Sequence, residues 1–202
     1  MGIPPKTIAV AVAVAWVGFV GAGFAVLEQY TAEAGAFGTP ASVWPDATTL
    51  PDLDGAPRLI VFAHPHCPCT RASIRELERL MRHAQPYLTA DVLFIQPGDS
   101  SWAASDLWRM AEAIPGVRIT ADPGGQESQK FGIMTSGHAS LYAADGLLQF
   151  SGGITPARGH EGDSRGKTAI LGYLQQEASA ISDASAVFGC SLRNPERAEV
   201  QP

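Results

Sequence analysis

The hydrophobic pattern divides the chain near residue 28. Ile8 to Leu27 is an unbroken run of 20 residues with no charged or strongly polar side chain. At about 1.5 Å of helical rise per residue, such a run covers the roughly 30 Å hydrocarbon core of a bilayer. It predicts one transmembrane helix. Lys6 precedes the run, and Glu28 and Glu33 follow it. Positive charge stays on the cytoplasmic side, so the expected topology is single-pass with the C-terminal domain extracytoplasmic. A cleaved signal peptide is the competing reading, with Ala32-Glu33-Ala34 or Ala34-Gly35-Ala36 as the cut site. Signal peptides carry a shorter apolar region, about 7–15 residues, and the length here favours an anchor that is kept.

Residues 28–56 show neither a period of 2 nor one of 3.6, and Gly35, Gly38, Pro40, Pro45 and Pro51 punctuate them. They predict an extended linker, with Phe37, Val43, Trp44 and Leu50 available to pack on the domain. Then the pattern changes. Arg58 to Ala63 (RLIVFA) is a short apolar run suited to a strand buried on both faces. A helical period begins at Thr70, with Ile74, Leu77, Leu80 and Met81 on one side and Arg71, Arg75, Glu78 and Arg82 largely on the other. Asp91 to Gln96 predicts a second buried strand. Asp99 to Ser101 offers helix caps, and Trp102 to Ile114 a second helix stopped by Pro115-Gly116. A short strand over Val117 to Thr120 and a helical turn over Gln126 to Phe131 come next. His138 to Tyr142 and Leu147 to Ser151 flank Ala144-Asp145-Gly146, a hairpin signal. Lys167 to Ala180 predicts the last helix, and residues 181–202 a tail carrying Cys190.

Composition narrows the function classes. About 170 residues remain beyond the anchor, enough for one domain with a sizeable core. The net charge is -6 with no basic stripe, so no nucleic-acid partner is expected. Three cysteines are too few for a disulfide-stapled scaffold, and the odd count leaves one thiol to explain.

The chemistry concentrates in His64-Pro-His-Cys-Pro-Cys69, between the first strand and the first helix. A cysteine at a helix N-terminus meets unpaired amides and the positive dipole end, which favours thiolate. A protonated His66 beside it would add to this. Cys67 precedes the helix and is the expected attacking thiolate, with Cys69 inside the first turn and less accessible. A Cys67–Cys69 disulfide closes a tight ring, and strained disulfides are the reactive ones. The same segment supports a second reading, in which His64, His66, Cys67 and Cys69 supply soft ligands for copper or zinc. Cys190 has three readings: a resolving thiol, a structural partner for Cys67 or Cys69, or a lone buried cysteine. A purely structural or interaction module is a third class. A peroxidase is not favoured, since no peroxiredoxin-type Pro-x-x-x-Thr-x-x-Cys pattern occurs.

The element order from Pro57 to Ala180, with a cysteine pair at the first strand–helix junction, resembles the thioredoxin-like superfamily. More narrowly, the chain is similar to membrane-anchored extracytoplasmic members such as the RedB family. The resemblance implies an α/β fold, a central mixed sheet flanked by helices, preceded here by one transmembrane helix. It implies thiol–disulfide exchange with protein thiols or disulfides as partners, Cys67, Cys69 and His66 as site residues, and no cofactor. It also places the loop Thr155 to Gly166, with Arg158 and His160, beside Cys67, and His138 opposite the cysteines. Two departures stand out. Only Pro68 separates the cysteines, where the family has two residues. Thr135-Ser-Gly-His-Ala139 carries no proline, where the family has a cis-proline facing them.

Overall fold

The computed structural model describes residues 4–96, 105–176 and 184–193. It divides at Glu33 into two compact units. The first is helix α1, Pro5–Ala32, 28 residues with Pro5 in its first turn and no buried side chain. An 18-residue stretch of mean hydropathy 2.3, with the helix's length, makes it long and apolar enough to cross a membrane. It continues past Leu27, the end of the apolar run, for a further helical turn.

The second unit is built on a five-stranded sheet in the order β3-β2-β1-β4-β5. The strands are β1 Arg58–Ala63, β2 Thr89–Gln96, β3 Val117–Pro123, β4 His138–Tyr142 and β5 Leu148–Gly153. β1, β2 and β3 run parallel, β4 lies antiparallel on β1, and β5 antiparallel on β4. Helices α2 Pro68–Ala84, α3 Asp106–Glu112, α4 Gln126–Lys130 and α5 Arg165–Leu174 complete the fold. This is the thioredoxin-like arrangement.

Side chains alternate across β1, which is buried at every position. Leu59, Val61 and Ala63 face a core shared with Ile74, Leu77, Leu80 and Met81 of α2 and Ile170 of α5. Ile60 and Phe62 face the opposite core, with Leu93, Ile95, Phe131 and Tyr142. Leu50, buried, and Trp44 belong to this second core. The segment after Ala34 is extended and runs along the domain: Thr39 N–H donates to Gly132 O, Ala41 N–H to Phe131 O, and Trp44 N–H to Gly146 O. Thr48 and Thr49 hydroxyls both donate to the Glu127 carboxylate.

Several boundaries differ from the sequence pattern. β2 begins at Thr89, because Thr89 and Ala90 pair with Arg58 and Leu59 although no apolar run marks them. α3 is shorter than Trp102 to Ile114; Ser105 caps it, accepting from Trp108 N–H, while Asp99 to Ser101 and Trp102 lie outside the described residues. α5 starts at Arg165, capped by Ser164. It ends at Leu174, after which the chain turns through Gln176 at φ +59°; the rest of the expected helix, residues 177–180, lies outside the described residues.

Candidate functional site

The site forms where β1 runs into α2. Cys67 is the N-cap of α2 with extended backbone, Pro68 occupies the first helical position, and Cys69 follows in the first turn. Pro68 suits that position because its fixed φ is already helical and no partner is needed for its missing N–H. The neighbouring loop is positioned by Gly137, at φ +85°, whose N–H donates to Phe62 O at 2.7 Å. A Cβ there would stand 2.7 Å from Ser73 Oγ of α2, so a glycine lets the loop pass against the helix. Ser136 then accepts from His64 N–H at 2.8 Å and shares a 2.6 Å hydrogen bond with the Thr70 hydroxyl.

The partner of Cys67 is Cys190. Their sulfurs are 2.9 Å apart. The two thiols are pushed in opposite directions. Burial raises Cys67, but bonds from Cys190 and Thr70 outweigh it and hold the thiol below its ordinary value. Burial, the hydrogen bond to Cys67 and the Cys67 charge push Cys190 up to about 12. Cys67 is therefore the more acidic thiol of the two. Burial and the Cys67 charge also raise Cys69, while the Arg158 guanidinium pulls it the other way. Arg158 donates to Gly189 O at 2.8 Å, next to Cys190.

Several expectations change here. Cys67 is 1% exposed and Cys69 8%, so Cys67 is the more deeply covered of the pair, because the Cys190 segment lies over it. Cys190, 123 positions away in sequence, brings its sulfur to 2.9 Å from that of Cys67, and the Cys69 thiol is hydrogen-bonded to Cys67 as well. The groups that favour the Cys67 thiolate are Cys190 and Thr70, not His66, which is exposed and whose N–H donates to His64 Nδ1. Burial and then His66 lower the pKa of His64. His138 is fully buried and its Nε2 bonds Ser151 Oγ at 2.6 Å, with its ring against Phe37; burial lowers its pKa to about 3. His160 is exposed and bonds the Arg158 carbonyl. Arg158 is the member of that loop brought to the thiols.

Among the described residues, no group of three His, Cys, Asp or Glu side chains is arranged to hold a metal ion. Two thiolates on one tetrahedral zinc, each about 2.3 Å from it, would stand about 3.8 Å apart. The Cys67 and Cys190 sulfurs are closer than that, at a spacing that suits bond formation between them. Sequence reasoning missed Thr70 and Ser136 at the site. Their hydroxyls look like ordinary helix-start and loop residues until the fold brings them together.

No family model matches the chain, and no curated protein does. Solved structures do. An uncharacterized conserved protein from Geobacillus kaustophilus is 16% identical, with 82% of this chain and 94% of that one aligned at a TM-score of 0.59. A hypothetical protein from Sinorhizobium meliloti 1021 is also 16% identical, with 80% and 96% aligned at 0.58. A secreted Mycobacterium tuberculosis disulfide oxidoreductase homologous to E. coli DsbE aligns more loosely, at 16% identity over 61% of this chain and 84% of that one, with a TM-score of 0.41. At such identities the first two likenesses speak to the fold alone.

Proposed function

We infer that this chain is a membrane-tethered thiol–disulfide oxidoreductase acting outside the cytoplasm, with Cys67 as nucleophile and Cys190 as its resolving partner. The observation that carries the reading is the 2.9 Å sulfur pair at the N-terminus of α2. The Cys67 thiolate attacks one sulfur of a partner's disulfide, and the partner's other sulfur leaves as a thiolate. Cys190 then loses its proton and attacks Cys67 Sγ. The Cys67–Cys190 disulfide forms, and the partner leaves with two thiols. Two electrons pass from this chain to the partner, and the reverse sequence oxidises a partner dithiol. Cys69, held by Arg158, is a third thiol outside the exchanging pair. The apolar helix α1 supports tethering, and Lys6 before it with Glu28 and Glu33 after it supports an extracytoplasmic domain.

Substrate trapping tests the assignment. In an oxidising compartment, Cys190→Ser should accumulate mixed disulfides through Cys67, whereas Cys67→Ser should accumulate none. Mixed disulfides through Cys69 in Cys190→Ser, or none at all, would refute it.

A further inference from the structure

Cys67 is closed off by a second piece of backbone. Residues 184–193 run across the loop before β4, with Thr135 and Ser191 facing each other as an antiparallel pair. Ser136 N–H donates to Cys190 O and Leu192 N–H to Met134 O, each at 2.9 Å. At the other end, Ser185 Oγ donates to Gly153 O at 2.8 Å. Between them, Gly35 N–H donates to Val187 O and Arg158 to Gly189 O, each at 2.8 Å. Val187 and Leu192 of this segment are buried. The result is a thiol at a helix start that is almost inaccessible to solvent.

Exchange demands that an incoming sulfur approach Cys67 Sγ closely. Cys190 Sγ already stands 2.9 Å away. We propose that residues 184–193 are a strap that closes the Cys67 site and must undock before a partner disulfide can reach it. The redox reading defines what the strap admits; whether it opens is a separate matter. The chemistry at the sulfurs makes the latch depend on redox state. In the reduced form Cys190 Sγ stands 2.9 Å from Cys67 Sγ, and this contact adds to the backbone bonds that hold the strap. In a mixed disulfide the partner's sulfur takes that place beside Cys67 Sγ, and the strap keeps only its other bonds. When Cys190 attacks Cys67 Sγ and expels the partner's thiolate, the new disulfide fastens the strap covalently.

One residue offers a handle that leaves all three thiols in place. A Cβ on Gly189 would lie 1.9 Å from Ser136 O, so Gly189→Ala cannot keep the docked position. Leu192→Pro removes the N–H that bonds Met134 O by an independent route. The full chain in detergent, reduced, is pulse-labelled with iodoacetamide, and the Cys67 adduct is read by peptide mass. Labelling of a covered thiol follows the population of the open form. Wild type should label Cys67 slowly, and each variant should raise that rate by about tenfold or more. If neither variant changes it, or if wild-type Cys67 labels as fast as the same thiol in the urea-unfolded chain, the strap is refuted. Exchange with glutathione disulfide is followed in the same samples. A variant that labels rapidly yet forms neither a Cys67–glutathione adduct nor a Cys67–Cys190 disulfide keeps the strap and overturns the redox reading.

Discussion

Glu76 gives the sharpest stability prediction, because one buried carboxylate joins α2 to the loop that carries Arg158. Its side chain is fully buried, while that of its partner Lys167 is only 13% exposed. It accepts from Lys167 Nζ at 2.5 Å, from Gly162 N–H at 2.8 Å and from Arg79. Removing one member of a buried ion pair costs about 3–5 kcal/mol, chiefly through the charge left behind. In Glu76→Ala the Lys167 ammonium keeps only Asp163, 3.6 Å away and fully exposed, so the low end applies. For a domain of this size, about 3 kcal/mol corresponds to a fall in melting temperature of roughly 6–12 °C. Glu76→Gln retains an acceptor for Gly162 and should lose about half as much. Thermal melts followed by circular dichroism, paired with urea unfolding, measure both. Glu76→Ala melting within about 2 °C of wild type would show that the carboxylate does not tie the helix to the loop. The pH dependence has a definite sign. Burial pushes Glu76 up, but Lys167, the Gly162 amide and Arg79 hold it below its ordinary 4.5. Its contribution is therefore complete above pH 4.5 and is lost as the pH falls through the lower folded-state value.

His138 adds a loss of the same sign in a higher pH window: its folded pKa of about 3 lies below the ordinary 6.5, so acidification below 6.5 should destabilise the fold by up to about 1.4 kcal/mol per pH unit from this residue alone. Urea unfolding of His138→Gln, which cannot titrate, should lack that component; an unchanged pH profile would contradict it. Carbonate extraction of the expressed chain should leave it in the membrane fraction, and release of an intact, unprocessed chain would refute the anchor. Copper(I) or zinc competition against a chelator separates the metal reading from the redox one: Cys67→Ser/Cys69→Ser should hold as little metal as wild type, and loss of one bound equivalent in that variant would revive it.

The parts legible in the sequence are those held by local pattern. β1 shows in a continuous apolar run and α2 in a 3.6-residue period, and their junction shows in the two cysteines flanking Pro68. The hairpin shows in Ala144-Asp145-Gly146. What escaped was tertiary. Nothing near Cys190 in the sequence announces that backbone pairing with Thr135 delivers its sulfur to Cys67. Cys67 and Cys69 look like the redox pair because only Pro68 separates them in sequence. In the folded chain, Cys67 also meets Cys190 of the strap, and Cys69 lies between Cys67 and Arg158. Likewise His66, adjacent to Cys67 in sequence, is exposed, and the groups that lower the Cys67 pKa are Cys190 and Thr70. The segment after Ala34 carries no periodicity, because its order comes from single hydrogen bonds to the domain and from Trp44 and Leu50 entering a core.

The most direct test of the central claim is a redox titration of the full chain in glutathione buffers, with disulfides mapped by peptide mass at each potential. Cys67 and Cys190 should become linked in a single two-electron transition while Cys69 remains a free thiol. A Cys67–Cys69 disulfide, or no disulfide across the whole range, would contradict the account.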